Sequence, residues 1–278
     1  MAVKIVTDST ADLLPAIAAE LDIAVVPLTV YFGEEVLRDG VDITAAEFLA
    51  RLTTGSIHPR TSQPSPEAFK EVYSSLLAAG HQVVSIHVAA KLSGTMNSAL
   101  VARQALQAED KITVIDSTWA TMTLGLVAIN AAKAARAGKS VQEIVLVSRD
   151  VMANLHLIFF CDTLEYLQRG GRIGRAQAFV GGLLNIKPIL SLWDAEIHPV
   201  ERVRTRSRAL ERLRELAVSF GPVKEFCVLH SGSPQDARSL FDFLGQRYPD
   251  ATAYFGDLGP VITTHVGPGV VGFGMRSG

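Results

Sequence analysis

Cysteine is nearly absent. The 278-residue chain has two, Cys161 and Cys227, far apart and each in an apolar context, so no disulfide framework is expected and both read as core residues. Seven histidines show no paired ligand spacing, and no metal site is expected. Charge of one sign is also lacking: 26 Lys and Arg against 28 Asp and Glu leave a net charge of −2, which argues against a general nucleic-acid binder. Charged residues make up only 19% against 48% apolar, and the mean hydropathy of +0.26 fits a large core or an apolar ligand pocket. No uninterrupted apolar run approaches the ~20 residues of a membrane span. The N-terminal "MAVKIVTDST" has no signal-peptide layout, so a cytoplasmic location is expected.

Several catalytic signatures fail on context. "GPGVVG", from Gly267 to Gly272, matches G-x-G-x-x-G but has no room after it for the helix and second strand of a dinucleotide site. "AGKS", ending at Ser140, resembles the tail of a phosphate loop, yet Lys133 stands where that pattern needs glycine; Gly138 reads as a helix stop. No G-x-S-x-G elbow occurs.

What is present is a repeated local pattern. In "KIVTDSTADLL", "VVSIHVAAKLSGTMNSA", "ITVIDSTWATM" and "FCVLHSGSPQDAR" an apolar strand ends in small hydroxyl or acidic residues and a helical pattern follows. Apolar strands alternating with amphipathic helices predict α/β architecture, with ligands at the carboxyl ends of the strands. The first three units share one sheet in this reading. From Asn154 the texture changes: "NLHLIFF" onward reads as helix, Gly/Arg turn, helix, then the strand "KPILSLW" and a hairpin through Asp194-Ala195-Glu196. A helix from Ser207 to Ser219, the fourth unit, and final strands "ATAYFGDLG" and "VITTHVG" complete it. The expectation is two apposed α/β domains, residues 1–150 with a mainly parallel sheet and residues 151–278 with a mixed sheet and helices.

Three polar corners and two arginine groups remain as candidate function. Thr61 and Ser62 read as turn residues ahead of a helix that starts at Ser65-Pro66. Ser93, Gly94 and Thr95 form a strand-to-helix corner, either a plain helix cap or an anion site at a helix N-terminus. His265 reads as a strand-end residue before a Gly-Pro-Gly turn. The six arginines from Arg202 to Arg214 are interleaved with glutamates and read as a solvated, ion-paired face. In "QRGGRIGR", Gly170 and Gly171 permit a sharp turn, and an arginine there is expected to face a cleft or a partner.

"TDST", "RTSQPSPEAF", "LSGTMNSA", "VIDS", "DTLEYLQRGGRI", "LLNIKPIL", "RVRTR" and "THVGPG", in this order, resemble the DegV family over essentially the whole chain. The resemblance implies a two-domain α/β lipid-binding protein that encloses a long-chain fatty acid and needs no further cofactor. The acyl chain is then expected in the C-terminal domain and the carboxyl group near the interdomain cleft. It also implies a separate kinase, related to dihydroxyacetone kinases, that phosphorylates the carboxyl group and feeds phospholipid synthesis, with a transient contact to a membrane acyltransferase. The head-group positions it marks are Thr61, Ser93 and His265, beside Ser62, Gly94 and Thr95. Arg172 and Arg204 match partner-engaging positions, Arg202 and Arg206 lying beside the latter, and Arg172 is expected on the surface facing the kinase and not in the acyl pocket. The sequence departs from the commoner family texture at "HVAAK" and at Met96, which bears on chain preference.

Two other functions fit the same residues. One is an enzyme in which Ser93 or Thr61 is a nucleophile and His265 its base, without a recognisable third group to orient the histidine. The other is a carrier of a different small amphiphile.

Overall fold

The computed structural model describes residues 2–180 and 186–278. The first apolar run is β1 (Val3–Asp8), and after α1 (Pro15–Glu20) the chain returns as β2 (Ile23–Val26). Next come β3 (Thr29–Phe32), β4 (Glu35–Arg38), α2 (Ala45–Thr54) and the short β5 (Arg60–Ser62). Then α3 (Pro66–Ala78), β6 (Gln82–His87), α4 (Thr95–Ala105), β7 (Ile112–Asp116) and α5 (Thr121–Arg136) complete the first half. A parallel sheet of order β2-β1-β6-β7 collects the polar strand ends at one edge, as expected from the repeated pattern. A separate antiparallel sheet, β4-β3-β5, was not legible in the sequence. It corrects the reading of Thr61 and Ser62 as turn residues: both pair with β3, Thr61 opposite Val30 and Ser62 opposite Thr29.

The join to the second half lies in α6 (Val141–Ala153), which starts on a Ser140/Glu143 capping box. Next come β8 (Leu155–Phe160), α7 (Glu165–Arg169), a 3₁₀ segment at Gly174–Phe179, β9 (Lys187–Trp193), β10 (Glu196–Val203) and α8 (Arg206–Ala217). Then β11 (Val223–His230), α9 (Pro234–Arg247), β12 (Thr252–Asp257), α10 (Pro260–Val266) and β13 (Val271–Ser277) end the chain. The second sheet has order β10-β9-β8-β13-β11-β12, with β11 and β12 parallel and the other neighbours antiparallel. The β9–β10 hairpin turns at Asp194 and Ala195, both with positive φ (51° and 60°).

Two expectations are corrected here. "LHLIFF" is the strand β8 and not a helix: it runs between β13 and β9 and is buried on both faces, where a short apolar run carries no period. "VITTHV" is the helix α10 and not a strand. Gly259-Pro260 opens it, Pro260 sitting where its missing N–H costs nothing, and Gly267 closes it with φ 80°. The "GGLLN" part of the expected second helix, residues 181–185, lies outside the described residues.

Helix α5 joins the halves. Leu124, Leu126, Val127 and Ile129 on it are fully buried, and a helix apolar on all sides must be enclosed. The main core around it includes Ile5 and Ile86 of the parallel sheet and Leu157, Leu190 and Cys227 of the mixed sheet. A smaller cluster packs Leu28, Val30, Phe32 and Phe48 against Val261 of α10.

Candidate functional site

Between the two sheets lies a cavity of about 350 Å³. Leu157, Phe159, Leu192, Leu229, Val270 and Phe273 from the mixed sheet side and Val261, Ile262 and Val266 from α10 supply apolar wall. The polar lining is Thr10, Thr61, Ser62, Gln63, Ser93, Thr121, Arg172 and His265. Such a space, apolar with a few polar groups, accepts an amphiphile.

The polar rim is assembled from far apart in sequence. Strand β5 presents Thr61, and α10 brings the His265 ring to it, with Nε2 2.9 Å from Thr61 Oγ1. His265 Nδ1 is buried without a partner among the described residues. It packs over Gly170, where a methyl group would collide with Nδ1, so the absence of a side chain at Gly170 makes room for the imidazole. Gly267 stands likewise against the Tyr166 ring. The "RGG" and "GPG" motifs are thus two faces of one close approach. Burial, and then the nearby Arg172 guanidinium and His58, push His265 down to about 4, so its ring is neutral at pH 7.

Ser93 lies one residue before Gly94, the N-cap of α4, which has no side-chain cap bond. The Ser93 Oγ accepts the Thr95 N–H at 3.3 Å in a local turn, lies 2.8 Å from Thr95 Oγ1, and lines the cavity. Thr95 is fully buried behind it, and Gly94 lies against the Gln63 amide; neither forms the cavity lining. Gln63, which donates to Ser98 Oγ at 3.2 Å, and Thr10 are lining residues that sequence reasoning missed. Their sequence signal was membership of the motifs "RTSQPSPEAF" and "TDST".

The arginines divide. Arg172 is exposed and also lines the cavity, its Nε donating to Leu92 O at 3.2 Å, so the expectation that it stays out of the pocket is corrected: it stands at the mouth. Arg204 is exposed and does not line the cavity. Arg206 is tied inward, to Asp236 Oδ2 at 2.5 Å, Asp162 Oδ1 at 3.3 Å and Gly269 O at 2.7 Å, and Arg202 lies over the Phe179 ring.

One arrangement of hydrolytic type exists, but in the wrong place. Ser85 Oγ lies 2.7 Å from His87 Nε2, and His87 Nδ1 lies 3.0 Å from Asp8 Oδ2. All three are fully buried and the Tyr73 hydroxyl donates to Ser85 at 2.7 Å, so the chain of bonds ties β1 to β6 and is closed to substrate. At the cavity, His265 contacts Thr61 and no carboxylate orients its Nδ1. Among the described residues no cluster of metal-ligating side chains occurs, and no helix is long and apolar enough to cross a membrane.

The family model described as an uncharacterised protein of the DegV family matches residues 2–277. The chain belongs to the DegV family. A DegV domain-containing protein of Streptomyces coelicolor is 42% identical to it, over 99% of this chain and 98% of that protein. Among solved structures, a fatty-acid-binding DegV family protein from Thermus thermophilus superposes with a TM-score of 0.93 at 35% identity, covering 100% of both chains. DegV of Bacillus subtilis, described as a fatty acid binding protein, gives a TM-score of 0.90 at 32% identity, again over 100% of both chains.

Proposed function

We propose that this DegV protein holds a long-chain fatty acid and presents its carboxyl group to a separate kinase. The observation that carries the reading is the cavity itself: an apolar interior that ends in the Thr61, Ser93 and His265 rim. Hydroxyl donors there replace water around the carboxylate, and Ser62, Gly94 and Thr95 support the corner. Residues 151–278 supply most of the apolar wall, so the tail lies against the C-terminal domain and the head group between the corners of residues 1–150 and His265. Each buried methylene contributes about 0.8 kcal/mol, so the tail dominates affinity and the rim dominates orientation.

A carboxylate is already a nucleophile toward a phosphoryl donor, so the chain needs no base of its own. The kinase implied by the family resemblance, one related to dihydroxyacetone kinases, would engage Arg172 at the mouth and the exposed Arg204, and the acyl phosphate would pass on to a membrane acyltransferase and phospholipid synthesis. The same proposal includes a cytoplasmic location. Native mass spectrometry of the purified protein tests the first step: a bound mass of fatty-acid size supports it, whereas an empty protein that takes up no added fatty acid overturns it. Adding the kinase and ATP to loaded protein tests the second, with acyl phosphate as the expected product.

A further inference from the structure

Helix α10 carries His265 and forms one cavity wall, and its N-terminus is capped in an unusual way. The N-cap is Gly259, which has no side chain, and the next residue, Pro260, has no N–H. A carboxyl group from the first half of the chain accepts the N–H of the N-cap itself. Gly259 N–H donates to Asp12 Oδ1 at 3.0 Å, while the Thr121 hydroxyl donates to Asp12 Oδ2 at 2.6 Å. Asp39, directly after β4, is 4% exposed, and its Oδ2 has no partner among the described residues. The two carboxyl groups flank one spot: a methyl group on Gly259 would lie 2.8 Å from Asp12 Oδ1 and 3.5 Å from Asp39 Oδ1. Asp12 and its partner Thr121 both hold left-handed backbone, φ 47° and 54°, a strained state for a β-branched residue.

We propose that Asp12 and Asp39 are positioning residues: they flank the N-terminus of α10 together, and charging both loosens the helix that holds His265 and the cavity wall. Two buried carboxylates this close repel when both ionise. Burial first, and the Asp8 charge after it, push Asp39 up to about 7; burial, Asp39 and Asp8 raise Asp12 well above the ordinary carboxylate range against the Thr121 and Gly259 bonds. The other ionisable groups around the pair are Asp8 on β1, bonded to His87, and Cys227 on β11, pushed up to about 12 by burial. His230 and Asp257 face each other at the ends of β11 and β12. No lysine or arginine pairs with Asp12 or Asp39 among the described residues. Asp39 therefore gains its charge near neutral pH, beside Asp12 and at the N-terminus of a helix that also forms the ligand's wall.

The test is amide hydrogen exchange on ligand-free protein, read at α10 and corrected for the intrinsic exchange rate, from about pH 6 to about pH 8.5. Opening of α10 in the wild type should rise several-fold across that range. In Asp39→Asn, which keeps the shape and an acceptor but not the charge, it should stay flat. Asp12→Asn serves as the second variant should Asp39→Asn not fold, and should flatten the profile likewise. Equal pH dependence in the wild type and the variants overturns the proposal. A second arm, dissociation of a fluorescent long-chain fatty acid, rests on the lipid-binding function proposed above and should accelerate over the same range in the wild type only. If no fatty acid binds at any pH, that function falls, while the exchange at α10 still decides the role of the pair.

Discussion

His265 works because of what its neighbours lack. With no side chain at Gly170 the imidazole fits between that residue and Thr61, and burial, followed by the nearby Arg172 and His58, keeps it neutral. Gly170→Ala should therefore push the ring off Thr61 at a cost of about 1–3 kcal/mol, the range for overpacking, and lower fatty-acid retention. Chemical denaturation and bound-lipid mass check this, and unchanged values for both would remove the close-approach argument. The depressed affinity of His265 for its proton also fixes a sign. Between about 4 and about 6.5 the unfolded chain binds more protons at this site than the folded one, so this contribution to stability is lost as pH falls through that window. His265→Gln removes it, and the variant's stability should fall less steeply than the wild type's over the same window. Thr61, Ser93 and His265 were legible as polar residues at strand ends or turns next to the right motifs. Gln63, Thr10, Asp12 and Asp39 were not, because each acquires its role only through contacts with residues distant in sequence.

At the scale of elements, the helices with complete start signals are the ones that the sequence specifies best. Helix α6 begins on a capping box in which Ser140 and Glu143 satisfy each other's backbone donors, and α2 repeats this with Thr44 and Glu47. Ser140→Ala should cost about 1 kcal/mol, the usual value of such a cap, read as a shift of the denaturation midpoint at unchanged slope. The two misread elements lacked that help. In "LHLIFF" every position is apolar or aromatic apart from His156, so neither the strand nor the helix period is visible and length alone had to decide. In "VITTHV" the β-branched residues favour a strand, but packing against the β4-β3-β5 sheet overrides that preference and the Gly-Pro start fixes the helix. The three short strands escaped notice because they are three or four residues long, and a run of that length has no measurable alternation.

Across the whole molecule, α5 makes two sheets share one core, so the halves should unfold together in a single transition although the chain reads as two domains. The cavity lies in that shared core and is a local deficit of packing when empty. A ligand that binds only the folded state adds about 2.7 kcal/mol of stability at a hundredfold excess over its dissociation constant. Removing bound lipid should therefore lower the melting temperature, and adding fatty acid back should restore it. Leu229 is buried and lines the cavity, so Leu229→Phe places added volume in space that is otherwise filled by the tail. The expected outcome has two parts: the stripped variant melts at or above the stripped wild type, because the ring recovers contacts that the empty cavity forfeits, and added fatty acid raises its melting temperature less. Thermal unfolding with and without fatty acid reads both. A variant that is destabilised when stripped yet responds to fatty acid like the wild type would mean that the ring displaces packed side chains instead of entering the space meant for the chain.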